Sequence, residues 1–153
     1  MQPNPMIMNL VRFLHNLFTA VWMGGLFSMA LVILPGLRGS LPMESAKLAM
    51  AALGKRLKPL ALASMAGLAV TGLLLGRSSK NFTGLLSFAS PYSTALSVKH
   101  ILMGIMVVLA FIRLGMVKKL ETQNDPKRMR ASGMVVMVNA IIGAAVLFLS
   151  SMI

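Results

Sequence analysis

The sequence predicts an all-α protein, an integral membrane bundle of four transmembrane helices with both termini outside. Three observations predict it. The 153 residues are 57% hydrophobic and 12% charged, with a mean hydropathy of +0.81, which is too apolar for a domain that meets water on all sides. Four apolar stretches, about 7–34, 59–76, 92–117 and 133–153, each reach the roughly 20 residues that a helix needs to cross a hydrocarbon core. The basic residues gather between these stretches, where they set orientation.

Each element has its own justification. Asn4-Pro5, Ser90-Pro91 and Asp125-Pro126 place a capping side chain before a proline at the first helical position, where the missing N–H costs nothing. They mark the starts of the first, third and fourth helices. No small-residue cleavage site follows the first stretch, and its apolar run exceeds that of a signal peptide, so it reads as a retained helix. In "RGSLPMESAKLAMAALGKRLKP", Met43, Ala46, Met50, Leu53 and Leu57 recur at spacings of three and four, which predicts a helical extension over about 42–58 leading into the second span. Pro59 is expected to kink it at the membrane surface. The stretch "RLGMVKKLETQNDPKRMR" carries the third helix into water, through a turn at Asn124-Asp125-Pro126, to a second extension over about 118–132. Between the second and third spans "GRSSKNFTGLLSFASPY" reads as a loop, with a short interfacial piece around 85–88 and an Asn81-Phe82-Thr83 sequon match. Residues 1–153 thus form one four-span membrane domain.

Charge then orients the bundle. Arg38, Lys47, Lys55, Arg56 and Lys58 lie in the first connection, and Arg113, Lys118, Lys119, Lys127, Arg128 and Arg130 in the third, eleven in all. Only four, Arg12, Arg77, Lys80 and Lys99, belong to the other side. This split places the basic connections in the cytoplasm of a multi-pass protein of the inner or plasma membrane. Basic clusters beside spans also hold anionic lipid. A net charge of +12 would suggest nucleic acid in a soluble chain, but no nucleic-acid-binding motif is present, and one Tyr and one Trp offer little stacking surface.

Absences exclude several chemistries. Without cysteine there is no disulfide, thiolate metal site or covalent haem attachment. The three acids, Glu44, Glu121 and Asp125, all fall in the basic connections, which excludes a carboxylate proton relay, a carboxylate-rich metal site or a glycosidase-like pair inside the membrane. No Ser-His-Asp set can be assembled there either.

The two histidines remain. His15 lies ten residues after Pro5 and His100 nine after Pro91, so on parallel helices both rings sit about 14 Å below their helix starts. Ionisable groups at that depth are costly and point to function. Two imidazoles at one level can supply the two axial nitrogens of a haem b held between facing helices. Gly104, one turn below His100, leaves room for a flat macrocycle, while Thr19 and Trp22 continue the His15 face. Arg12 and Lys99 are placed to pair with propionates; snorkelling explains each as well. Fifteen methionines, among them the i,i+3 pairs Met103/Met106 and Met134/Met137, suit either apolar filling or a copper(I) path of soft thioethers. Gly24-Gly25, Gly67, Gly72 and Gly76 fit close helix packing, with Thr71 and Asn139 as interhelical hydrogen-bonders.

"LHNLFTAVWMGGLFSMALVILPGLR" resembles the first helix of CopD-type membrane proteins in its Leu-His, its Val-Trp-x-Gly-Gly and its closing Leu-Pro-x-Leu-Arg. "AVTGLLLG", "VKHILMGIMVVLAFIRL" and "NAIIGAAVLFLSS" fit the other spans more loosely. The similar four-helix HemJ proteins are protoporphyrinogen oxidases. For this group the resemblance implies haem b bound through helix histidines, matched here by His15 and, best in the third span, His100. The HemJ proteins carry a further histidine at the end of helix one and an acidic residue before the last span, both missing here. CopD itself is associated with copper resistance and is usually longer.

The expectation is a small membrane b-type cytochrome that passes single electrons, with a quinone or a redox protein as its partner. Two axial histidines leave no open coordination site, which suits electron transfer better than oxygen activation. Copper transport or resistance and HemJ-like oxidation stand as the alternative readings, and a homodimer sharing its haem stays open.

Overall fold

The computed structural model describes residues 4–78, 91–122 and 126–151. Helix α1 spans Pro5–Ser28, a π-helical turn spans Met29–Ile33, α2 spans Leu34–Ser40, α3 Met43–Ser78, α4 Pro91–Thr122 and α5 Pro126–Ser151. Four of the resulting helical segments, Pro5–Ser40, Met43–Ser78, Ser93–Lys118 and Lys127–Ser151, are long and apolar enough to cross a membrane. The chain is a four-helix multi-pass membrane bundle.

The helix starts follow the sequence chemistry. Pro5 occupies the first turn of α1, and the Asn4 side chain accepts from the Met6 N–H at 2.9 Å. The starts assigned to Ser90 and Asp125, the loop at 79–90 with its interfacial piece and sequon, and the turn at 123–125 lie wholly or partly outside the described residues. Pro59 does not end α3, which runs unbroken from the basic connection through the second span. Proline lacks only one N–H and clashes with one carbonyl, so 36 residues of helix absorb it when tertiary packing holds both sides.

Helix α1 runs along α3, and α4 along α5; α5 also touches α1, whereas α3 and α4 touch far less. The interior has two layers. Trp22, Met23, Leu68, Met106 and Val146 pack together in one, and Met29, Ala30, Leu34, Val136 and Ala140 in the other. Leu10, Phe13, Val70, Leu73, Val108, Ile112, Met137 and Ile141 are exposed. In lipid, an outward apolar side chain is already solvated, so helices need not hide their hydrophobic side and small residues decide their packing. Gly67 lies directly under the Phe18 ring, and Gly133 under the Arg38 guanidinium. At Gly24, Gly25 and Gly104 nothing approaches within 4 Å of where a Cβ would stand. Gly24 and Gly25 therefore do not serve close packing as the sequence suggested.

Candidate functional site

His15 occupies the face of α1 that meets α3. Its Nδ1 lies 2.9 Å from the Thr71 Oγ1. The Thr71 hydroxyl donates its own proton to the Gly67 carbonyl at 2.6 Å, so it accepts from His15 Nδ1–H. The remaining nitrogen, Nε2, then carries a free lone pair. Gly72 makes room for the ring: the His15 Cε1 is 3.6 Å from the position of a Cβ there. One turn along, Thr19 donates to the His15 carbonyl at 2.8 Å.

His100 has a comparable arrangement on its own helix. Its Nδ1 lies 2.7 Å from the Leu96 carbonyl, which can only accept, so Nδ1 is the protonated nitrogen and Nε2 is again free. An N–H held by a carbonyl is the support that a ligating histidine commonly has. Both rings are half-buried, as is Lys99, whereas Arg12 is exposed. Gly104 lies on an exposed face, and Trp22 is buried among Met23, Leu68 and Met106. Among the described residues no cluster of three or more His, Cys, Asp or Glu exists.

Thioethers converge deeper in the bundle. The Met23 Sδ and the Met106 Cε lie 3.1 and 3.2 Å from the point where a Cβ on Gly143 would stand. Glycine at that position lets side chains of α1 and α4 meet over α5. Met65 and Met103 pack against the same layer. Met134 and Met137 are 64% and 44% exposed and take no part, because a fourth-helix side chain at those positions turns toward lipid.

Beyond the thioethers, toward the basic connections, a cavity of about 370 Å³ is lined by residues of α1, α3, α4 and α5, including Arg113, Asn139, Lys55 and Lys58. The sequence reading counted Arg113 among the connection charges. Its place in the apolar run "VVLAFIRLGMV" was the available signal, since a charge within a span faces an interior or a cavity.

Neither a curated protein nor a solved structure matches this chain. The family model for CopD, copper resistance protein D, matches residues 51–153, which takes in α4, α5 and most of α3, and leaves His15 outside. With more than half of its length matched, this chain is a membrane protein of the copper resistance protein D family.

Proposed function

We propose that the protein binds copper as Cu(I) inside the bundle, receiving it at His15 and holding it between the thioethers of Met23 and Met106. The observation that carries this reading is the approach, over Gly143, of the Met106 methyl group of α4 to the Met23 sulfur of α1, the helix that also presents a free imidazole nitrogen. Thioether and neutral imidazole are soft donors suited to Cu(I), and they lack the carboxylates that hard divalent ions prefer. From His15 to Met23 is eight residues of α1, about 12 Å along the axis. Thr71 holds the His15 ring so that Nε2 stays a donor to metal, and Gly143 keeps the thioethers from being wedged apart. In this reading the terminal end faces outward and the basic end the cytoplasm, as the distribution of charge favours.

Titration of the detergent-purified protein with Cu(I) against a competing chelator tests it. Binding near one ion per chain, weakened at least about tenfold, or 1.4 kcal/mol, in Met106→Leu and in His15→Gln is the expected result. Absence of Cu(I) binding, or binding indifferent to both variants, overturns it.

A second reading, haem b between His15 and His100 with electron transfer as the role, is favoured by the two free Nε2 atoms. Gly104 is exposed with open space about it, which leaves a macrocycle room on that face, while Trp22 packs in the core. Air-oxidised and dithionite-reduced absorption spectra decide it. Sharp reduced bands at about one haem per chain, lost in His15→Ala and His100→Ala, would favour haem over copper.

A further inference from the structure

Two polar atoms without a hydrogen-bond partner belong to residues that line the cavity at the basic end. Asn139 is 4% exposed. Its Nδ2 donates to the Met106 carbonyl at 3.3 Å, while its Oδ1 is buried with no hydrogen-bond partner. Arg113 Nε is buried and equally without a partner. Both residues line the same cavity of about 370 Å³. One is an acceptor in need of a donor, and the other is a cationic donor in need of an acceptor.

The rest of the lining selects the ligand's charge. Lys55, Lys58 and Lys118 join Arg113, and among the described residues no acid lines the cavity. A cation is repelled by such a wall, and a purely apolar molecule leaves both atoms unsatisfied. Water satisfies single atoms and solvates the exposed lysines, but it brings no negative charge to the half-buried Arg113. Trp22, Leu26 and Met65 supply an apolar side. A second cavity of about 420 Å³ shares Lys55 and Val117 with the first, and its own lining includes Arg38, Lys47 and Glu44.

We infer that this cavity binds a phosphate-bearing ligand with a free hydroxyl, a phosphoglycerol group, its anion on Arg113 and the lysines and its hydroxyl donating to Asn139 Oδ1 as these two side chains turn toward it. Charge-assisted hydrogen bonds from guanidinium to phosphate are strong and directional. A phosphodiester has no P–O–H of its own, so on a lipid the donor is a hydroxyl of the glycerol. Such a group belongs either to an anionic glycerophospholipid or to a water-soluble phosphate ester. The sparse contact between α3 and α4 leaves a side through which acyl chains can lie. The inference does not depend on copper.

Native mass spectrometry of the full chain in detergent tests it, with phosphatidylglycerol, phosphatidylcholine and glycerol phosphate as separate probes. Phosphatidylglycerol is expected to bind at one per chain and at least about tenfold tighter than phosphatidylcholine, with that preference lost in Arg113→Gln and Asn139→Leu. Lys55→Gln/Lys58→Gln, at exposed lysines, weakens it without disturbing the packed interior. Glycerol phosphate that binds with the same dependence on these residues and displaces the lipid assigns the site to a soluble ester. Equal retention of both lipids with no binding of glycerol phosphate overturns the inference, as does unchanged binding in the folded lysine variant.

Discussion

At the scale of single residues, Thr71 has the widest consequences. Its hydroxyl both anchors to the Gly67 carbonyl and accepts from His15, so one side chain settles which imidazole nitrogen is free. Thr71→Val keeps the shape and removes the acceptor, leaving a half-buried N–H unpaired at a cost of about 1–3 kcal/mol. Loss of such support for a metal ligand lowers affinity about 10–100-fold. Chelator competition with Cu(I) should show that drop, and an unchanged affinity would separate His15 from metal binding. Gly67 offers a sharper packing test. The Phe18 ring occupies the space that a Cβ would take, so Gly67→Ala overpacks the α1–α3 contact by about 1–3 kcal/mol. Thermal unfolding in detergent should register this, and Phe18→Ala combined with Gly67→Ala should cost less than the two single losses added together.

At the scale of elements, the π-helical turn at Met29–Ile33 sets the direction of everything that follows in the first span. A π turn takes in one extra residue, and Met29 and Ala30 within it are among the most buried in the bundle. Beyond it, Arg38 lies over Gly133 and donates to the Met129 carbonyl at 3.3 Å. Removing Val32, which is 67% exposed, takes out that extra residue, and four residues of α-helix turn through about the same angle as five of a π turn. Leu34–Ser40 then keep their face and Arg38 stays on α5. Arg38→Gln should therefore lower the thermal midpoint by about the same amount in the deletion background as in the parent. Loss of that effect in the deletion background would show that the π turn does more than absorb one residue.

At the scale of the whole molecule, loose packing between α3 and α4 and a cation-lined cavity go together. The proposed orientation is open to direct measurement because the chain has no cysteine. Met6 and Leu48, 80% and 72% exposed, mark the terminal and the basic ends. In intact cells an impermeant thiol reagent should label Met6→Cys at once and Leu48→Cys only after permeabilisation. The reverse pattern would invert the bundle and place His15 nearer the cytoplasm.

The sequence by itself determined the class, the number of spans and the Asn4-Pro5 helix start. Each follows from local chemistry: apolar length against bilayer thickness and a cap before a proline. It also singled out His15, His100, Thr71 and Asn139 by residue type. Which faces those residues present was decided by tertiary structure alone. Gly104 and Gly24 read like Gly67 in the chain, yet only Gly67 lies under a neighbouring ring. Met134 and Met137 read like Met103 and Met106, yet they face outward. The physical reason is that helices apolar on every side carry no amphipathic stripe to reveal which side is inward. The same lack of a stripe hid the π turn, which shifts the register by one residue, and the placement of Arg113 and Asn139 on one cavity.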